Sequence, residues 1–110
     1  MEKIRAIVKR PDEEIGHVTN ISPTLQNLQN IVGGHIETVT VQVKPQVIVI
    51  CNEEARIRHL PYNCTIEGKD YTGEFDCPFF GPILLVGADG DEFTDVPISV
   101  VMANKMIVEG

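Results

Sequence analysis

The sequence predicts an α+β fold: a small, mostly antiparallel sheet of about five strands, with one short helix after strand 2 and a second helix at the C-terminus. Three observations carry this. Leu25–Val32 has a helical apolar stripe closed by Gly33-Gly34, Ile36–Val43 alternates residue by residue, and Val47–Cys51 is an unbroken, mainly β-branched run. A helix so short is unstable alone and must dock on a larger surface, which the two strand patterns supply.

The first strand is Lys3–Lys9 (KIRAIVK), joined through the acidic turn Pro11–Glu14 to a second at Gly16–Ile21. A connection this short makes the pair a hairpin. Ser22 before Pro23 then reads as a helix start, since a serine hydroxyl accepts from first-turn N–H groups and proline lacks an N–H that would be orphaned there. Leu25, Leu28, Ile31 and Val32 recur at three- and four-residue spacing, opposite Gln26, Asn27, Gln29 and Asn30. Gly33-Gly34 can take the left-handed conformation that ends a helix.

In IETVTVQV, alternate residues fall on opposite faces, as a strand requires. Lys44-Pro45-Gln46 is long enough only for a hairpin, so this strand should pair antiparallel with Val47–Cys51. Asn52–Pro78 is polar and carries Pro61, Gly68 and Gly73, with a short hairpin pattern only at Thr65–Thr72; it reads as a long excursion. Gly81–Val86 (GPILLV) returns as an apolar strand, stopped by the turn-rich Gly87–Asp91. A final helix is expected from Asp95 or Val96 to about Ile107, with Thr94 or Asp95 as its cap and Pro97 in its first turn.

With 110 residues, the chain 1–110 is expected to form one domain. Tryptophan is absent and aromatics are few, so the core must rest on Ile, Val and Leu. The sequence has neither an apolar run of ~18 residues nor a charged start leading into an apolar segment, so no membrane association is expected and the cytoplasm is the simplest location. A formal charge of -7, with nine scattered Lys and Arg, argues against direct nucleic-acid binding.

Cys51, Cys64 and Cys77 leave one cysteine over in any disulfide scheme, which fits a reducing compartment. Twelve residues separate neighbouring cysteines, whereas structural zinc sites use close pairs such as C-x-x-C. Hence no metal site and no cofactor are assigned, even with His59 as a notional fourth ligand. Asp89, Asp91 and Glu92 evoke calcium but lack the twelve-residue ladder of ligands and its closing glutamate.

The best place for chemistry is Asn52-Glu53-Glu54 at a strand end, and the loop from Asn52 to Asn63 is the place for a ligand. Arg56, Arg58 and His59 could face phosphate oxygens, Tyr62 could stack, and Asn52, Glu53 and Asn63 could present polar atoms to a ligand. The asparagines could equally close local turns, and adjacent Glu53 and Glu54 would point to opposite faces of a continuing strand. No catalytic residue is assigned.

LQNIVGGHIE, ICNEEARI, LPYN and GPILLVGADGDEF together resemble a small family of unknown function carried by phages, plasmids and other bacterial mobile elements. Its pattern is L-Q-x-x-V-G-G-x-I-E, a C-N-E-E-G-K-like step, L-P-x-N-R and a G-x-F-x-x-V-G strand, matched here over roughly Leu28–Phe93. This chain has Ala55-Arg56 where Gly-Lys is common and Cys64 where Arg is common. The resemblance implies a cytoplasmic mobile-element accessory protein and brings no catalytic residues. Three functional expectations follow, in descending order: a non-enzymatic domain that binds a protein partner; a nucleotide-like ligand binder using the 52–63 loop; and a metal-assisted hydrolase built on Glu53 or Glu54 and a histidine.

Overall fold

A computed structural model describes residues 2–103 and 107–108. In chain order these form β1 (Ile4–Lys9), β2 (His17–Ile21), α1 (Leu25–Val32), β3 (Ile36–Val43), β4 (Gln46–Asn52), β5 (Tyr62–Asp70), β6 (Gly73–Phe80), β7 (Ile83–Asp89), β8 (Glu92–Thr94), α2 (Ile98–Ala103) and β9 (Ile107–Val108). The strand order is β2-β1-β7-β4-β3-β5-β6, with β8 on β7 and β9 on β5. All pairings are antiparallel except β3 with β5, which meet in parallel at Gln42 and Lys69.

The expected α+β class of about five strands is therefore corrected to a mostly β fold, with nine strands and two short helices among the described residues. The difference arises chiefly between Asn52 and Pro78. The apparent excursion is a short loop followed by the long β5–β6 hairpin, paired from Tyr62–Phe80 to Asp70–Gly73. Cys64, Ile66 and Gly68 point inward while Glu67 and Lys69 point out, and Phe75, Cys77 and Phe79 alternate with Glu74 and Asp76. Period two is present, but carried by cysteine, glycine and phenylalanine rather than by Val and Ile. Pro78, which cannot donate a ladder hydrogen bond, sits in β6, the terminal strand of the order.

The two faces of β1, β7 and β4 bury different clusters, as the alternation of side chains demands. On one face Ile7, Val49, Cys51, Ile83 and Leu85 pack beneath Cys64, Ile66 and Phe79 of the hairpin and Val96 and Val100 near α2. On the other, Ala6, Val8, Ile50, Leu84 and Val86 receive Leu28 and Val32 of α1. Gly68 permits the hairpin to close on β3: a Cβ there would lie 2.9 Å from the Val41 carbonyl oxygen.

The short helix stands where the stripe places it, with its details changed. Thr24, not Ser22, is the N-cap: its Oγ1 accepts from the Asn27 N–H at 3.2 Å, and Pro23 lies outside the helix. Gly33 closes the other end at φ 81°. Leu25, expected on the packed stripe, is 59 % exposed. The β3–β4 hairpin is antiparallel as expected, with a bulge between Thr40 and Gln42.

The last helix is described over Ile98–Ala103, and Ile107–Val108 pairs with β5 as a strand. Residues 104–106 of the expected helix lie outside the described residues. Asp95 does not cap it; its carboxylate accepts from the Arg5 backbone N–H at 2.7 Å.

Candidate functional site

The loop between β4 and β5 is a compact series of turns. Backbone bonds run from Ala55 N–H to the Asn52 carbonyl, from Arg58 to Glu54, from His59 to Arg56 and from Leu60 to Ala55. His59 takes φ 55°, in the left-handed region that favours glycine.

The two asparagines of the candidate set are buried, and their amides are engaged within the fold. Asn52 accepts from the Glu54 N–H at 2.8 Å, forming a local turn, and donates Nδ2 to the Val32 carbonyl at 3.1 Å. Arg58 adds a longer contact from Nη1 to the Gly33 carbonyl, at 3.4 Å. Both side chains thus reach the C-terminus of α1, where carbonyls lack helical partners and carry partial negative charge.

Asn63 Nδ2 donates to the Lys9 carbonyl at 2.9 Å and to the Gly81 carbonyl at 2.8 Å. Its Oδ1 accepts from Lys9 Nζ at 2.9 Å, and the same ammonium donates to the Glu13 carbonyl at 2.7 Å. Lys9 is wholly buried, so these oxygens replace the water it loses. Asn63 thereby ties β5 to the end of β1 and to the entry of β7.

These contacts also join the sequence motifs in pairs. The Gly33-Gly34 step meets Asn52 and Arg58, and the Leu60–Asn63 step meets Gly81, whose N–H donates to the Pro61 carbonyl at 2.8 Å.

The remaining candidates divide. Asn52, Glu53 and Arg56 line a pocket of about 230 Å³ together with Glu37 of β3, Cys51 of β4 and Cys77 of β6. The Arg56 guanidinium lies 5.1 Å from the centre of the Phe80 ring, a cation–π distance. Tyr62 meets that ring edge-on at 5.6 Å, and its hydroxyl is 2.6 Å from Thr65 Oγ1. Arg58, His59 and Tyr62 do not line this pocket. The structure brings together three of the seven candidates rather than a convergent cationic cluster.

The sequence does not show Cys51, Cys77 and Glu37 as neighbours: Cys77 is brought in by β6, and Glu37 comes opposite Cys51 through the bulge between Thr40 and Gln42. Burial first, then the Glu37 carboxylate and Cys77, push the Cys51 thiol from its ordinary 9.0 up to about 11. Cys77 is also raised, by burial first, with Arg56 acting against the shift and Glu37 adding to it. At neutral pH both are protonated and poor nucleophiles. Among the described residues, no group of three or more His, Cys, Asp or Glu is placed to hold a metal ion. No helix among them is long and apolar enough to cross a membrane.

No curated protein and no solved structure matches the chain. A family model does, over residues 4–106, the span that runs from the first residue of β1 past the end of α2 and holds both motif junctions. The chain belongs to the family described as domain of unknown function DUF3846.

Proposed function

We propose that this chain is an accessory protein of a bacterial mobile element and that it acts by binding another protein rather than by catalysis. The observation that carries the reading is the use made of the motif: Asn52 and Asn63 are buried and bonded to backbone groups. Residues so engaged hold the fold rather than present their amides to a ligand. The resemblance of the motif supports the mobile-element context. Three cysteines not joined in disulfides support a cytoplasmic setting.

Capture from a bacterial lysate with the folded chain as bait tests this. Reproducible recovery of one protein is expected, and repeated recovery of none would count against it. A second reading rests on the pocket beside Arg56, Asn52 and Glu53, which could take a small anionic ligand. A ligand at 100 times its dissociation constant should stabilise the chain by about 2.7 kcal/mol, so a thermal-shift series over nucleotides separates the two.

A further inference from the structure

The helix-bearing face of the sheet is incompletely covered. α1 buries Leu28 and Val32, but Leu25 is 59 % exposed, and Ile4, Ile36 and Phe93 are only partly buried. These apolar groups floor a pocket of about 570 Å³ between the start of α1, the start of β1 and the β7–β8 turn. Its polar lining is Glu2, Asp91 and Glu92, and no Lys, Arg or His takes part. The pocket beside Cys51, by contrast, includes Arg56, and the grooves along Lys69 and Lys3 include those lysines.

An exposed apolar floor with a rim of one charge is poorly matched to water alone and well matched to a partner of opposite charge. A second copy docking through the same patch would oppose two acidic rims. Nucleic acid and anionic membranes would be repelled by the same carboxylates, within a chain whose formal charge is -7. The geometry points to a cationic amphipathic segment of a protein partner as the occupant. Its apolar side chains would fill the floor between Leu25 and Phe93, and its Lys or Arg residues would face Glu2, Asp91 and Glu92. This names the surface and partner chemistry for the protein-binding reading and rests on it.

The test is a titration of the full chain, followed by amide NMR, with a synthetic amphipathic helix of leucine and lysine. A second peptide with every lysine replaced by glutamate serves as the comparison. The lysine peptide should shift resonances of Leu25, Ile36 and Phe93, and the glutamate peptide should leave them in place. Leu25→Ser removes apolar burial worth about ten- to a hundredfold in affinity and should weaken binding by about that factor. D91N/E92Q should weaken it too and remove most of its salt dependence, and both variants alter exposed positions, so a preserved spectrum verifies the fold.

Shifts spread evenly over Glu67, Glu74 and Asp76 of the β5–β6 hairpin, or unchanged affinity in Leu25→Ser, would overturn the assignment. So would no response to either peptide. If lysate capture recovers a partner whose binding Leu25→Ser leaves intact, this pocket is refuted while the protein-binding reading stands. If capture recovers nothing, the reading itself fails.

Discussion

Replacing Asn63 with alanine separates a structural role from a ligand-binding one. The amide makes three hydrogen bonds, to the carbonyls of Lys9 and Gly81 and from the Lys9 ammonium, all between 2.8 and 2.9 Å in a buried setting. A neutral bond of this kind is worth about 1 kcal/mol net and one to a charged group about 1.5 to 3, so the loss sums to roughly 3 to 5 kcal/mol. Against a typical total of about 5 to 15 kcal/mol, that is a large fraction. Urea denaturation followed by circular dichroism reads it directly, as a lower midpoint with an unchanged slope. Arg56→Ala is the control, since that residue is exposed and loses only a cation–π contact worth about 0.5 to 1 kcal/mol. A cost for Asn63→Ala below about 1 kcal/mol would refute the claim that this residue ties β5 to β1 and β7.

Leu28→Ala should cost about 2 to 5 kcal/mol, whereas Leu25→Ala, on the exposed side of the same helix, should cost little; equal effects in denaturation would contradict the packing. Thr24→Ala should destabilise by about 1 kcal/mol and Ser22→Ala by much less, which the same measurement checks. For Cys51, the folded state favours the neutral thiol. Its contribution to stability should be complete below the unfolded value near 9.0 and be lost as pH rises through about 11. Alkylation of the folded chain should accordingly be slow at Cys51 at pH 7.5, and rapid modification there would oppose the burial described.

The legible parts of the fold were those whose periodicity is carried by strongly apolar residues. Leu28 and Val32 announce α1, Val47–Cys51 announces β4, and a connection as short as Lys44-Pro45-Gln46 dictates an antiparallel pair, although Gln46 itself pairs with Val43. The short hairpin pattern at Thr65–Thr72 understates β5 and β6, because their inward positions are filled by Cys64, Gly68, Phe75 and Cys77, a set that does not resemble a Val- and Ile-rich strand. Gly68 reads as a break in the sequence, yet in space it allows the close approach to Val41. The alternation of Phe75, Cys77 and Phe79 with acidic residues was the available signal. The cap at Thr24 could not be ranked above Ser22 because both are good N-cap residues and boundaries shift by a residue or two.

For the candidate site, the sequence located the loop but not the direction of its side chains. Asn52 and Asn63 are polar residues next to strands, a pattern shared by ligand contacts and by structural ties. Their partners are the Val32 carbonyl, twenty residues upstream of Asn52, and Lys9, fifty-four residues from Asn63. Contacts at that separation follow from topology rather than local pattern. The acidic pocket was also hidden, because Glu2, Leu25 and Glu92 converge only once β1, α1 and the β7–β8 turn are assembled.

Position-specific photo-crosslinking tests the protein-binding account most directly. A crosslinking residue is placed at Leu25 in one variant and at Arg56 in another, and each is irradiated in bacterial cells producing it. The account predicts a discrete polypeptide adduct from Leu25, with the joined segment rich in Lys or Arg beside apolar residues, and no such adduct from Arg56. Absence of any polypeptide adduct at both positions, together with a nucleotide-dependent rise in melting temperature, would contradict it and favour the pocket beside Arg56.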